Sequence, residues 1–148
     1  MEEPIKKSTK KHSAVVTLYN LDSGKIIGTI STTHTRHLKN CVYVEGEYNG
    51  DENYIVDGSI TPRPLLSSVI TIDKAVFVAD GIDQIIITNL PIPCIVTIIN
   101  TNNNRFPIFN DEVSTGKIIL TTKEPGVYRL IVDCFPYRQY ITEIEATK

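Results

Sequence analysis

Side chains that resist helix formation dominate this chain. It carries 22 Ile, 12 Val and 16 Thr against 4 Ala and 8 Leu. With 7 Tyr and 4 Phe, β-branched and aromatic residues make up 61 of 148 positions. Branching at Cβ restricts χ1 in a helix and packs well on a pleated sheet. No window of a dozen residues sustains an apolar stripe at i, i+3, i+4, i+7. An all-β protein is the expectation.

The pattern along the chain supplies the strands. Residues 13–19 and 25–31 alternate around Asp22-Ser23-Gly24 and read as a hairpin, with Val16 and Leu18 facing opposite to Val15, Thr17 and Tyr19. Residues 41–48 alternate again. Tyr54-Ile55-Val56 and Ser59-Ile60 flank Asp57-Gly58, a two-residue turn signal that asks for positive φ at both central positions. Then Thr61-Pro62-Arg63-Pro64 interrupts: two prolines deny donors to a ladder and hold the backbone extended. Residues 61–67 are read as a proline linker. Beyond it come seven short strands with turns every 8–12 residues, the spacing of an immunoglobulin-like sandwich. Val69–Asp73 is the first, with Ala75–Ala79 pairing with it or continuing it. Tyr128, Leu130 and Val132 face inward. Tyr128 either closes the sandwich by returning its hydroxyl to backbone or is an ordinary core tyrosine. The expected architecture is a small N-terminal β unit (13–60), the linker, and a C-terminal sandwich (68–148).

Composition narrows function. The formal charge of −2 and pI of about 5.9 lack the basic footprint of a dedicated nucleic-acid binder. No apolar run approaches the ~18 residues of a membrane span. The opening Met1-Glu2-Glu3-Pro4 has no hydrophobic stretch of the secretory kind, so free thiols in a reducing compartment are expected for Cys41, Cys94 and Cys134. Cys94 and Cys134 could meet across the sandwich. Residues 1–12 read as a flexible basic arm, whose Lys6, Lys7, Lys10 and Lys11 either fray in solvent or order on an acidic partner.

No reactive constellation emerges. His34, His37 and Cys41 share a polar loop, without the rigid face or fourth ligand of a metal site. Ser59 sits in a hairpin with no evident base, and the acidic pairs Asp51/Glu52 and Asp111/Glu112 fall at turns. No cofactor is expected. Phe106-Pro107-Ile108-Phe109 would be a core strand if buried and a contact patch if exposed.

Two stretches carry a resemblance. Tyr54-Ile55-Val56-Asp57-Gly58-Ser59-Ile60-Thr61-Pro62-Arg63-Pro64 resembles a Y-x-V-D-G-x-(I/V)-x-x-R-P pattern of small structural and tail-associated proteins of tailed bacteriophages. Leu21-Asp22-Ser23-Gly24-Lys25-Ile26 matches the short hairpin with which such proteins often open. From Ile87-Thr88-Asn89-Leu90-Pro91, through Pro125-Gly126-Val127-Tyr128-Arg129-Leu130-Ile131-Val132, to Phe135-Pro136-Tyr137, the chain looks like the C-terminal ending of those proteins. It is also similar there to small β-sandwich modules of the PEGA type.

The resemblance implies a non-enzymatic virion component: a head decoration, head–tail or tail protein, assembled in the host bacterial cytoplasm. Its partners would be other virion proteins and further copies of itself in a symmetric assembly, with neither nucleic acid nor membrane. The alternative is a tail-fibre assembly factor absent from the mature particle. Candidate partner contacts are Lys6, Lys7, Lys10, Lys11, Pro62, Arg63, Pro64, Phe106, Ile108 and Phe109.

Overall fold

The structure is a computed structural model that describes residues 13–33, 38–102 and 106–148. It is all-β, with thirteen strands among the described residues. The chain divides into two compact units, Met1–Pro62 and Arg63–Lys148.

In the first unit, β1 (Ala14–Tyr19), β2 (Ile26–Thr32) and β3 (Tyr43–Glu45) form an antiparallel sheet in the order β2-β1-β3. The β1–β2 hairpin turns on Asn20, whose side-chain oxygen accepts from the N–H groups of Asp22 and Ser23. Asn and Asp favour turns through this kind of self-capping. β4 (Asn53–Val56) and β5 (Ser59–Pro62) form a second hairpin. Asp57 and Gly58 take φ of 50° and 75°, the geometry expected of that turn.

Burial in β1 departs from simple alternation. Val16 and Thr17 are neighbours yet both inaccessible, so the strand is covered on both faces at its centre. Thr17 Oγ1 donates to the carbonyl of Gly46 at 2.8 Å and accepts from the N–H of Tyr48 at 3.1 Å. A buried hydroxyl needs such partners. The segment beyond β3 thus caps the second face and leaves β3 only three residues long, shorter than the alternation over 41–48 suggests.

The second unit contains β6 (Thr71–Ile72), β7 (Val76–Val78), β8 (Ile85–Thr88), β9 (Cys94–Asn100), β10 (Phe109–Val113), β11 (Ile118–Leu120), β12 (Gly126–Asp133) and β13 (Tyr140–Thr147). One sheet runs β10-β9-β12-β13-β7 and the other β11-β8-β6. Every pair is antiparallel except β13–β7. One core joins the two sheets. Val96, Ile98, Leu130, Val132 and Ile144 of the larger meet Ile85, Ile87 and Leu120 of the smaller. Burying such side chains contributes about 1.5–3 kcal/mol each.

Three details differ from the sequence reading. The Val69–Ala79 region neither pairs with itself nor continues as one strand; β6 and β7 join opposite sheets. The Lys74–Asp83 ion pair lies where the chain passes between them. β10 extends through Asn-Asp-Glu, a polar run unlike a strand, because it forms the exposed edge beside β9. With β6 and β7 counted separately, the unit has eight strands where seven were expected. Finally, residues 61–67 are not a free connector. Thr61 and Pro62 belong to β5, and Leu66 is buried in the core of the second unit.

Candidate contact site

Arg63 makes the most elaborate polar contacts at the start of the second unit. Its Nε donates to the Pro136 carbonyl at 2.9 Å, and its Nη2 donates to the Tyr137 carbonyl. The guanidinium carbon lies 5.4 Å from the centre of the Phe135 ring, within cation–π range. The Arg138 N–H donates to the Pro64 carbonyl at 2.9 Å, and Leu65 bridges to Arg138 in parallel. The planar fork of arginine suits this grip on two successive carbonyls. Residues 63–66 are therefore fastened to the Phe135-Pro136-Tyr137 turn. The Arg138 Nε is buried beside this region without a hydrogen-bond partner.

The candidate residues fall in separate places. Lys6, Lys7, Lys10 and Lys11 lie outside the described residues, as do His34 and His37. Pro62 and Pro64 are exposed on either side of Arg63, whose guanidinium is engaged within its own unit. Phe106, Ile108 and Phe109 are 75%, 55% and 37% accessible, so this apolar run is a surface feature. The sequence left core strand and contact patch open; the structure puts these side chains in solvent, with Phe109 opening the edge strand β10.

Cys94 and Cys134 do meet, but as neighbours on one sheet. β12 pairs with β9 through Val132↔Val96 and Asp133↔Ile95, and the same register sets Cys134 opposite Cys94. Both are free, buried thiols, and Cys134 Sγ donates to the Pro93 carbonyl at 3.2 Å. Burial, reinforced by Cys134 alongside, pushes the Cys94 thiol up to about 12. Burial also raises Cys134. Thiols held protonated are poor nucleophiles. Cys41 is exposed.

Elsewhere the carboxylates serve turns. Asp83 binds Lys74 and accepts from the N–H groups of Val78 and Gln84, which hold its carboxyl below the usual range. Asp80 accepts from the N–H groups of Asp83 and Ile82, with the same effect. A shallow groove of about 230 Å³ runs over β7 and β13 between Val76, Val127, Glu143 and Glu145. Among the described residues, no cluster of three or more His, Cys, Asp or Glu side chains is placed to hold a metal. Nor, among the described residues, is any helix long and apolar enough to cross a membrane.

No protein-family model matches the chain, and no curated protein matches it. Among solved structures, 90% of it aligns with a glycosyl hydrolase family 2 member from Bacteroides cellulosilyticus, at 14% identity and a TM-score of 0.33. The chain spans 22% of that protein. A likeness so slight carries no argument about fold or activity.

Proposed function

We propose that this chain is a non-enzymatic structural subunit of a tailed-bacteriophage particle, a head-decoration, head–tail or tail component that works through protein–protein contacts. The observation that carries the reading is the apolar run at 106–109. Three large side chains stand in solvent within four consecutive residues, whereas other exposed apolar side chains such as Leu21, Ile82 and Ile141 are scattered along the sequence. Clustered exposed apolar groups of this kind suit a protein neighbour. The resemblance to phage structural proteins adds support, since its two N-terminal stretches lie against each other: the Ile55 N–H donates to the Gly24 carbonyl at 2.9 Å.

The second unit fits an immunoglobulin-like sandwich. Its first two strands divide between the sheets, and Tyr128 opens the penultimate strand with its hydroxyl donated to the Glu124 carbonyl at 2.8 Å. Such rigid modules suit a part that is held by its neighbours.

Quantitative mass spectrometry of purified particles tests the reading. Presence at a fixed copy number per particle is the expected result. Expression during infection with absence from the mature particle would overturn it in favour of a tail-fibre assembly factor.

A further inference from the structure

A β-sheet edge exposes backbone donors and acceptors that can pair with another strand, and proteins usually guard such edges. Most edges here are guarded or very short. On β10, the Asp111 carboxylate accepts the N–H of Glu112 at 2.8 Å, and two adjacent acids repel a like strand. β7 spans three residues, and Asp83 takes the N–H of Val78. β3 and β11 span three residues each, and β6 two. β5 ends on Pro62, and the N–H of Ile55 on β4 is taken by Gly24.

β2 is different. It runs for seven residues, Ile-Ile-Gly-Thr-Ile-Ser-Thr, at the edge of its sheet. It holds no charge and no proline. Among the described residues, none takes up the outward N–H and C=O groups of Ile27–Ser31. Ile27 is 71% and Ile30 37% accessible.

We propose that β2 pairs antiparallel with β2 of a second copy of this chain, joining two three-stranded sheets about a two-fold axis. The occupant is argued from charge and fit. Like charges facing across a ladder destabilise it, and a strand without charges meets its own copy at no such cost. With the axis at Thr29, Thr29 faces its counterpart, a favourable cross-strand pair. Ile27 then faces Ser31, and Ile30 lies across Gly28, covering a residue with no side chain. The contact is isologous, so it closes at a dimer. One strand pair buries less than the roughly 1,200 Å² of a stable complex, so the dimer forms at high concentration or when repeated through an assembly. The proposal rests on the subunit reading and names the surface through which copies meet.

The test is sedimentation velocity on the full chain over a wide concentration range. The variants are Thr29→Lys, Thr29→Glu and Ile27→Lys, each checked for native circular dichroism. Both positions are exposed; the Thr29 variants give up a 3.4 Å contact with Thr17 Oγ1, which keeps its bonds to Gly46 and Tyr48, so the fold should tolerate the changes. The wild type is expected to dimerise reversibly. Each Thr29 variant alone should dimerise at least tenfold more weakly, Ile27→Lys should also weaken it, and mixing Thr29→Lys with Thr29→Glu should restore the dimer. A wild type that stays monomeric at millimolar concentration, one that grows beyond a dimer, or a mixture that fails to recover would each overturn the proposal. Variants that dimerise like the wild type would overturn this edge yet leave the subunit reading standing, since copies would then meet elsewhere. Particle mass spectrometry judges that reading separately.

Discussion

Gly24 occupies a position that no other residue fits. Its φ is +73°, and a Cβ built there would lie 1.9 Å from the carbonyl oxygen of Ile55. That oxygen is backbone and cannot swing aside, because the Ile55 N–H is bonded to Gly24 itself. Gly24→Ala should therefore destabilise the first unit by about 2–4 kcal/mol, from strain and a broken close approach together. A urea titration followed by circular dichroism measures it; a change below ~0.5 kcal/mol would contradict the geometry. At Tyr128 the ring is buried and the hydroxyl lies 2.8 Å from the Glu124 carbonyl and 3.0 Å from Thr122 Oγ1. Tyr128→Phe keeps the ring and strands the partners, which should cost about 1–2 kcal/mol in the second unit. The thiols make a third case. A disulfide reagent should modify one cysteine, Cys41, in the native protein and all three after unfolding, because Cys94 and Cys134 are 2% and 5% accessible.

At the scale of elements, the alternating strands were legible because they are buried on one face. Tyr128, Leu130 and Val132 read as inward and are inward. The Asp57-Gly58 turn was legible because its chemistry allows little else. Of β10 only the Phe109 end was, since an edge strand needs no apolar face and Asn110-Asp111-Glu112 resembles a loop. The 61–67 segment misled for a related reason. Prolines report missing donors, and they are silent about side chains that dock. Leu66 and the Arg63 fork do that docking, and the fork's carbonyl partners lie more than seventy residues downstream. The exposure of Phe106, Ile108 and Phe109 was undecidable from an apolar run alone. Arg63 gives this scale its prediction. Arg63→Ala should lower the stability of the second unit by about 1–3 kcal/mol through the lost charged hydrogen bonds. Arg63→Lys should recover only part of the loss, because an ammonium cannot grip two carbonyls and lie flat on Phe135. Thermal melts of the two variants, compared with wild type, separate a lost charge from a lost fork.

At the scale of the molecule, the core cluster that holds the buried thiol pair is built from residues of the second unit alone. That placement makes alkaline stability informative. In the folded second unit Cys94 keeps its proton to about 12, whereas an exposed thiol releases it near 9.0. Between those values the native state binds more protons than the unfolded chain, so stability falls as pH rises. The contribution is fully present below the unfolded thiol value and disappears as pH passes through the folded one; Cys134, also raised, acts in the same direction. Tyrosine and lysine titrate in this range as well, so the comparison is internal: wild type against Cys94→Ala/Cys134→Ala, unfolded by urea at steps from pH 8 to pH 11. The double variant should start less stable, having lost packing, and should decline less steeply above pH 9. The transition of the first unit, whose cysteine is exposed, should have the same pH dependence in both proteins. Equal slopes for the second unit in the two proteins would show that the buried thiols do not govern its alkaline limit.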